Sequence, residues 1–315
     1  MAAPLPRETI TAAHARIAGR IRRTPVLRPG PDTFGLPGRL SLKLEFLQHA
    51  GSFKTRGAFN TMLSETVPAA GVAAASGGNH GAAVAYAARQ LGHAARIFVP
   101  AISSPAKIEA IRRQGAEVVI GGARYADAQE ACDRHVAASG ALRVHPFAAA
   151  GTIAGQGTVA LEWDEDEPDL DTILVASGGG GLVAGMASFW AGRGKRVVAV
   201  EPEGSCALHA ALAAGGPVDV PVESIAADSL GASNVGDLVF GICRETVDHV
   251  ALVPDAAIVE ARRALWRECR IAVEPGGAAA LAALLCGAYR PASGERIGVL
   301  VCGANVDAEG LAALA

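Results

Sequence analysis

Short apolar runs rich in β-branched residues alternate along this chain with longer segments in which apolar positions recur at helical spacing. Such alternation is typical of βαβ units, in which helices cover a mostly parallel sheet. The pattern therefore predicts an α/β fold. The predicted strands are Leu40–Phe46, Gly71–Ala75, Ala95–Val99, Glu117–Ile120, Thr172–Ala176, Arg196–Glu201 and Ile297–Cys302. The clearest predicted helices are Ala82–Leu91, Pro105–Gln114, Tyr125–Ala138, Ala154–Trp163 and Gly277–Leu285.

Three segments need a separate interpretation. The N-terminal segment lacks the apolar stretch of a secretory signal and contains Glu8, so it predicts a first helix rather than a targeting peptide. The uncharged stretch from Thr172 to Gly192 is long enough to span a bilayer, but its four consecutive glycines favour a strand, a loop and a helix in a soluble protein. The acidic run Glu162–Pro168 is expected to be a solvated loop near a domain boundary.

Length and composition narrow the class of protein. The 315 residues suggest about two domains, and 50% apolar with 19% charged residues excludes a disordered chain. The net charge of −3, without a basic stripe, makes nucleic acid an unexpected partner. Six scattered cysteines without a CxxC pair indicate reduced thiols and a cytoplasmic location.

Three glycine-rich segments stand where a strand is expected to give way to a helix: Gly51–Gly57, Ser76–Gly81 and Ser177–Gly181. In parallel sheets such loops lie at the carboxyl ends of the strands, where backbone N–H groups and helix N-termini attract anions. The best candidate phosphate site is Ser177–Gly181, because the predicted helix Leu182–Trp190 directs its positive end at it. Three such loops suggest a ligand with more than one anionic group.

The same loop also fits a different cofactor. Gly179, Gly181 and Ala184 follow a strand, and Glu201 lies at the end of the next predicted strand. This spacing satisfies the dinucleotide fingerprint with its ribose-binding acid. Taken alone, the segment indicates a nicotinamide dehydrogenase.

Lysine usage separates these two interpretations. The chain has 4 lysines against 24 arginines, and Lys54 lies in a Gly/Ser-rich turn beside an aromatic residue. A lysine in such a turn can simply be exposed, but it is also what a Schiff base with a phosphate-bearing aldehyde requires. A reactive lysine together with a phosphate cradle suggests pyridoxal 5'-phosphate.

The segment from Leu44 to Ala58, LEFLQHAGSFKTRGA, closely resembles the cofactor-lysine segment of the serine/threonine dehydratase and serine racemase family. Members of that family are pyridoxal-phosphate enzymes of the tryptophan-synthase-β-like fold. The resemblance covers nearly the whole chain. Six further segments occur in the family's order and spacing: Ser76–Gly81, His145–Phe147, Ile153–Thr158, Ser177–Gly181, Val273–Pro275 and Val301–Asn305.

The resemblance implies a fold-type-II architecture, with two three-layer αβα domains and an active-site cleft between them. Residues 1–70 and 149–315 would form a discontinuous large domain that binds the cofactor, and residues 71–148 a small domain. A homodimer is the oligomeric state that the resemblance suggests. Because the sequence ends soon after Asn305, feedback inhibition through the regulatory domain of biosynthetic threonine dehydratases is not expected.

The resemblance also assigns cofactor residues. Lys54 would form the Schiff base and later move the α-proton of the substrate, and Phe53 would pack against the pyridine ring. Asn79 would bond the 3′-oxygen, and Cys302 would face the pyridine nitrogen. The phosphate would be bound by the backbone N–H groups of Gly178, Gly179, Gly180 and Gly181.

A second group of residues is assigned to the substrate. Ser76, Gly77, Asn79 and His80 would hold the carboxylate of an amino acid, through backbone N–H groups and the Ser76 hydroxyl. The ring of His80 is not required for this, because a histidine at a helix start can be purely structural. Glu274 has two interpretations that remain open, a position near the cofactor or an ordinary charge at a helix N-terminus.

Cys302 also has a second interpretation, a buried apolar thiol at the end of a strand. If it faces the ring nitrogen as the resemblance implies, it indicates the type of reaction. A neutral thiol at Cys302 leaves the nitrogen largely unprotonated, which favours loss of a leaving group as the α-proton is removed. The expected reaction is dehydration and deamination of a 3-hydroxy amino acid, L-threonine or L-serine, to a 2-oxo acid and ammonia. Hydroxyaspartate and phenylserine are alternative substrates, and a binding or sensor protein without turnover is an alternative function.

Two departures from the family pattern narrow this expectation. The family's racemases carry a hydroxyl at the position of Gly77 and a polar residue at that of Phe147, so racemisation, the alternative activity, should be slow or absent. Members with a divalent-cation site pair the glutamate at Glu201 with a second acid, but here that position is Ala207. No metal is predicted, because a hard cation requires several oxygen ligands.

Overall fold

The computed structural model describes residues 2–36 and 38–312, and we number its elements in chain order. The strands in these residues are β1 (Val26–Leu27), β2 (Arg39–Lys43), β3 (Val72–Ala75), β4 (Ala95–Val99), β5 (Glu117–Ile120), β6 (Leu142–Arg143), β7 (Thr172–Ala176), β8 (Arg196–Pro202), β9 (His249–Val253) and β10 (Arg296–Leu300). The helices are α1 (Arg7–Ile17), α2 (Lys54–Ser64), α3 (Asn79–Leu91), α4 (Pro105–Arg112), α5 (Tyr125–Ser139), α6 (Ala150–Asp166), α7 (Gly181–Trp190), α8 (Ala207–Ala214), α9 (Ala227–Leu230), α10 (Gly236–Thr246), α11 (Asp255–Cys269), α12 (Pro275–Leu285) and α13 (Ala308–Ala312).

The larger sheet has six strands in the order β1-β2-β10-β7-β8-β9. Its neighbours are parallel except for the antiparallel pair β1 and β2. Strand β7 is buried at all five positions, and α7 and α12 pack against it. A parallel strand covered on both faces has a continuous apolar sequence, which is why the pattern of TILVA predicts this strand correctly.

The smaller sheet has four parallel strands in the order β5-β4-β3-β6. Along β3, Val72 and Ala74 pack in a cluster with residues of α3, whereas Ala73 and Ala75 pack in a cluster with residues of α5. Successive side chains of a strand point to opposite faces, so α3 and α5 cover the two faces of this sheet. The predicted α/β fold is confirmed.

We propose the domain division that the sequence suggests, with a small domain at 71–148 and a large domain at 1–70 and 149–315. All four strands of the smaller sheet lie within 71–148, and all six strands of the larger sheet lie outside it. Met1, Pro37 and the last three residues of the large domain, 313–315, lie outside the described residues.

The acidic run Glu162–Pro168 is not a solvated loop, and that prediction was wrong. Helix α6 continues to Asp166, and Glu162 is buried. Arg56 donates to both oxygens of Glu162 at 2.8 Å from a position 106 residues away in the sequence. Lys43, which is also buried, lies 3.3 Å from Asp166. The sequence pattern did not reveal these partners because they come from other elements.

Helices α2, α6 and α7 pack closely because glycines face one another at their contacts. A Cβ built on Gly155 would lie 2.7 Å from the Cα of Gly57, and one on Gly185 would overlap the carbonyl oxygen of Ile153. Helix α2 is therefore held directly against α6. This contact fixes the position of Lys54, the first residue of α2.

Among the described residues, no helix combines the length and the apolar character that crossing a membrane requires. The uncharged stretch from Thr172 to Gly192 consists of β7, a glycine loop and α7, as predicted.

Candidate active site

A cavity lies among loops that follow strands of the two sheets, the first turn of α2 and the short helix α9. All eight residues that the sequence assigns to the cofactor line this cavity, and of the four assigned to the substrate only Asn79 is among the described lining residues. The lining residues are Phe53, Lys54, Asn79, Phe147, Ala176, Gly178, Gly179, Gly180, Gly181, Leu182, Ser229, Leu230, Glu274 and Cys302.

Lys54 extends its amine into this cavity from the first turn of α2. Its Nζ donates a hydrogen bond to the carbonyl oxygen of Pro146 at 2.8 Å. Burial lowers the pKa of Lys54 to about 8, against the opposing effects of Cys302 and Glu274. A substantial fraction of this amine is therefore neutral, and nucleophilic, in mildly alkaline solution.

The glycine loop that follows β7 forms a wall of side-chain-free backbone. A Cβ on Gly178 would lie 2.7 Å from the Cα of Leu230, and one on Gly179 would overlap the ring of Phe147. Gly180 has a positive φ of 74°, which favours glycine. Because α7 begins at Gly181, the N–H groups of its first turn and its positive end are available to an anion at this wall.

A chain of side-chain hydrogen bonds crosses the cavity wall opposite this loop. Asn79 Nδ2 donates to Glu274 Oε1 at 2.5 Å, and Asn305 Nδ2 donates to Asn79 Oδ1 at 2.6 Å. Asn305 Nδ2 also donates to the carbonyl oxygen of Ala50 at 2.9 Å. These bonds join the start of α3 to the segments before α2 and α12.

Both positions that the sequence left open for Glu274 describe it correctly. It directly precedes α12, and its carboxyl group also lines the cavity. The residue is only 4% exposed, and its Oε2 has no hydrogen-bond partner among the described residues. Burial raises the pKa of Glu274 to about 7, although the hydrogen bond from Asn79 acts in the opposite direction.

Cys302 lies two residues beyond the end of β10 and is a buried residue of the cavity lining. Its Sγ lies 3.4 Å from the carbonyl oxygen of Gly276, to which the thiol donates. Burial raises the pKa of the Cys302 thiol well above its ordinary value, and the nearby Glu274 acts in the same direction. The thiol is therefore neutral at physiological pH.

Ser76–Gly78 leads into α3, and His80, the second residue of α3, is not among the residues that line the cavity. Its Nε2 donates to the carbonyl oxygen of Val144 at 2.8 Å. Burial, together with the nearby Lys54, lowers the pKa of His80 to about 3, so the ring is neutral. The Ser76 hydroxyl accepts a hydrogen bond from the backbone N–H of Gly78 at 3.2 Å. Any contact of His80 with a substrate would thus come from its backbone.

The space beside Gly77 is occupied by another residue. A Cβ built on Gly77 would overlap the hydroxyl of Ser103 and lie 3.0 Å from Cγ1 of Val99. Ser103 belongs to the loop between β4 and α4. A side chain at position 77 therefore requires that this loop move or that Ser103 be smaller.

Residues of α9 that line one side of the cavity were not predicted from the sequence. Asp228 of this short helix forms an ion pair with Lys107 of α4, and the next two residues, Ser229 and Leu230, line the cavity. The segment carries no periodic pattern or glycine motif from which this placement could be predicted. Ala176 and Leu182 were missed too, although their positions beside the glycine loop were a usable signal.

Glu201 is fully engaged away from the cavity. Its Oε1 accepts from the Ser177 hydroxyl and the Leu208 N–H, both at 3.1 Å, and its Oε2 accepts from the His209 N–H at 2.9 Å. Burial raises the pKa of Glu201 to about 7 against these three donors. It caps α8, so it is not free to bind a ribose. No group of three metal-ligating side chains occurs within the described residues.

These features fit pyridoxal 5'-phosphate better than a dinucleotide. The glycine wall, in which side chains would overlap neighbouring atoms, offers backbone donors for one phosphate, and Lys54 offers an amine for an aldehyde. The partnerless Oε2 of Glu274 adds a buried polar group that a polar ligand could satisfy.

The comparisons with known proteins agree with this fit. The profile of a family described as "Pyridoxal-phosphate dependent enzyme" matches residues 17–303. A phenylserine dehydratase from Ralstonia pickettii is 38% identical over 304 residues, which cover 95% of this chain and 93% of the relative. An L-threonine ammonia-lyase from Geobacter sulfurreducens is 38% identical over 309 residues, which cover 96% of this chain and 76% of the relative.

The similarity extends to three-dimensional structure. The structure of maize serine racemase superposes with a TM-score of 0.91 at 37% sequence identity, covering 99% of this chain and 96% of that one. The three relatives carry three different names, although each is similar over nearly all of this chain. Overall likeness therefore does not separate their activities.

Proposed function

Because this chain belongs to the pyridoxal-phosphate-dependent enzyme family, we propose that it is an ammonia-lyase acting on a 3-hydroxy amino acid, L-threonine or L-serine. The products would be a 2-oxo acid and ammonia. The observation that carries the proposal is that the Lys54 amine, the glycine wall and the neutral Cys302 thiol share one cavity. The relatives named as phenylserine dehydratase and L-threonine ammonia-lyase support it.

In this proposal each group of cavity residues binds a different part of the cofactor. Lys54 would hold its aldehyde carbon, Phe53 its ring face and Asn79 its 3′-oxygen. Cys302 would face its pyridine nitrogen, and the phosphate would be held by the N–H groups of Gly178, Gly179, Gly180 and Gly181. When bound, the cofactor supplies an electron sink next to the α-carbon of the amino acid.

The chain itself supplies binding and proton movement. The lowered pKa of Lys54, about 8, suits an amine that accepts the α-proton near neutral pH. The backbone N–H groups of Gly77, Asn79 and His80, at and just before the start of α3, would bind the substrate carboxylate with help from the helix dipole. Ser76 would contribute its hydroxyl, because its backbone N–H donates to the carbonyl oxygen of Phe98 at 3.0 Å. The neutral Cys302 thiol would leave the ring nitrogen largely unprotonated.

Gly77 supports elimination over racemisation. Glycine has no group that could return a proton to the α-carbon from a second direction. The hydroxyl that a larger residue would bring is excluded by Ser103 in the present arrangement. We expect D-amino acid to form much more slowly than 2-oxo acid.

The test begins with the visible spectrum of the purified protein, followed by reduction with borohydride and mapping of the labelled peptide. The label is expected on Lys54. Production of 2-oxo acid from L-threonine, L-serine, phenylserine and hydroxyaspartate then ranks the substrates, while chiral analysis measures racemisation. A label on another residue, or D-amino acid appearing as fast as 2-oxo acid, contradicts the proposal. Cofactor binding without turnover of any of these substrates would favour a sensor instead.

We further propose that the enzyme acts in the cytoplasm as a homodimer. The cytoplasm is supported by the six cysteines, which are all free, and the dimer by the resemblance to the serine/threonine dehydratase and serine racemase family. Light scattering coupled to size-exclusion chromatography measures the mass in solution. A value corresponding to a single 31.9 kDa chain contradicts the dimer.

A further inference from the structure

The hydrogen bonds around Asn79 have a direction that one backbone atom determines. The carbonyl oxygen of Ala50 can only accept, so Asn305 must present its Nδ2 to it, at 2.9 Å. The second hydrogen of the same Nδ2 is directed at Asn79 Oδ1, at 2.6 Å. With its oxygen occupied in this way, Asn79 presents Nδ2 to Glu274 Oε1, at 2.5 Å.

This arrangement accounts for one of the two hydrogens of Asn79 Nδ2. The other remains available to the cavity that Asn79 lines. An asparagine amide can ordinarily rotate by half a turn and exchange its donor and acceptor. Here the exchange would set Asn79 Nδ2 against the Asn305 donor and Asn79 Oδ1 against the Glu274 oxygen.

We propose that Glu274 and Asn305 are positioning residues that hold the amide of Asn79 as a hydrogen-bond donor to the cofactor. Neither residue was assigned this role by the sequence, which left Glu274 with two interpretations. The inference rests on the proposed cofactor site at Lys54, but not on which amino acid is the substrate.

The backbone approaches these two side chains closely at two glycines. A Cβ on Gly303 would overlap Glu274 Oε1, and a Cβ on Gly51 would overlap Asn305 Oδ1. The backbone N–H of Ala304 also donates to the carbonyl oxygen of Gly51 at 3.0 Å, which ties the two segments together. Both contacts require glycine, so the local backbone is matched to these two polar side chains.

Glu274 retains one unsatisfied atom that points to a ligand. The residue is 4% exposed, and its Oε2 has no partner among the described residues. A buried carboxyl oxygen without a partner is costly, so either a proton or a bound polar group is expected there. Because Oε1 accepts from Asn79, the free oxygen is where a proton would be carried.

The charge of Glu274 depends on the groups that face it from several elements. Burial raises its pKa to about 7, and Asp228 acts in the same direction. The hydrogen bond from Asn79, the charge of Lys107 and the backbone N–H of Asn305 act against this rise. Lys54, Cys302 and Arg262 also interact electrostatically with the carboxyl group. The carboxyl group is therefore expected to change between charged and neutral near neutral pH while Oε1 keeps its bond to Asn79.

The test compares Glu274→Gln, Glu274→Leu and the exposed control Glu260→Gln in apoprotein titrated with pyridoxal 5'-phosphate. The glutamine keeps an acceptor for Asn79 but has no titrating proton. E274Q should therefore bind the cofactor within about threefold of wild type, whereas E274L should bind about tenfold more weakly for the loss of one oriented hydrogen bond. The visible spectrum of bound wild type and of E260Q should change with a midpoint near pH 7, and that of E274Q should not.

Circular dichroism verifies that each variant is folded, and E274Q keeps the test decisive if E274L is not. A pH transition near 7 that persists in E274Q, or an E274L protein that binds as tightly as wild type, overturns the inference. Borohydride labelling of wild type separates this failure from failure of the proposed site. A label on another lysine overturns both, whereas a label on Lys54 with unchanged variants overturns only the positioning role.

Discussion

Lys54 and Arg56 are two residues apart in α2, yet only Arg56 has carboxylate partners for its buried positive charge. Arg56 is fully buried and donates to Glu45 and Glu162, with distances from 2.7 to 2.8 Å, and to the Thr158 hydroxyl at 3.1 Å. Lys54 donates to the carbonyl oxygen of Pro146, and no carboxylate forms an ion pair with it within the described residues. The same helix thus carries one fully paired cation and one that lacks a charged partner.

The difference explains why one residue is structural and the other reactive. Burial alone would lower the pKa of both groups. The carboxylates of Glu45 and Glu162 reverse this effect and raise the pKa of the Arg56 guanidinium, whereas the pKa of Lys54 falls to about 8. A buried cation with matched carboxylates remains charged and fixed in place, and one without them becomes a neutral nucleophile.

The largest expected effect is the loss of activity on replacing Lys54 by alanine. If this amine holds the cofactor and moves the α-proton, 2-oxo acid production should fall by at least about 1,000-fold. The melting temperature of the apoprotein should change little, because the amine has a single hydrogen bond. Steady-state assays and calorimetry measure the two quantities, and activity close to that of wild type would refute the role of Lys54.

Arg56→Met is expected to act mainly on stability. Removing the guanidinium leaves Glu45 and Glu162 buried without their partner, which costs about 3–5 kcal/mol. Urea unfolding of the apoprotein measures this loss. The control Arg134→Met removes an exposed pair with Glu130 and should leave the transition where it is. Equal stability of the two variants would show that the buried cluster does not hold α2 in place.

The low pKa of Lys54 predicts how fast the apoprotein combines with pyridoxal 5'-phosphate at different pH values. Only the neutral amine attacks the aldehyde, so the rate should rise about tenfold per pH unit below pH 8 and level off above it. Stopped-flow absorbance follows the reaction. A rate that continues to rise up to the ordinary pKa of lysine, 10.5, would show that burial does not activate this amine.

The smallest expected effect is that of replacing Arg23, which pairs with acidic residues at the C-terminal end of α6. Arg23 pairs with Glu165 and Asp166, but its own side chain is 48% exposed. Replacing Arg23 by alanine should cost about 0.2–1 kcal/mol, because solvent screens such pairs. Urea unfolding at low and high salt measures it. A loss of unfolding free energy as large as that of Arg56→Met would mean that solvent exposure does not explain the difference between Arg23 and Arg56.

Much of the fold could be predicted because parallel strands carry a strong local signal. Strands β4, β5 and β7 have the predicted bounds, but the predicted strand Leu40–Phe46 ends at Lys43. There Glu45 enters a short 3₁₀ turn and binds Arg56. The bounds of that strand depend on a buried ion pair between residues 11 positions apart in different elements, which hydrophobic spacing does not encode.

The part of the cavity that could be predicted is the part formed by loops that follow strands. Glycine loops at the carboxyl ends of parallel strands converge for topological reasons, so the predicted residues Lys54, Asn79 and Cys302 were expected to meet and do line one cavity. Leu230 was not predicted because its helix approaches the glycine loop from a region without a motif. The direction of the His80 ring was likewise undetermined, since it depends on the Val144 carbonyl.

The contact between Gly77 and Ser103 constrains the order in which this sequence can change. A substitution that adds a hydroxyl at position 77 meets the Ser103 side chain, whereas a prior change of Ser103 to glycine removes that obstacle. We therefore expect the two positions to be epistatic. The same mutation at 77 should be less disruptive once Ser103 is replaced by glycine, because only the contact with Val99 Cγ1 at 3.0 Å then has to relax. An evolutionary route toward a bulkier residue at position 77 passes first through the loop that faces it.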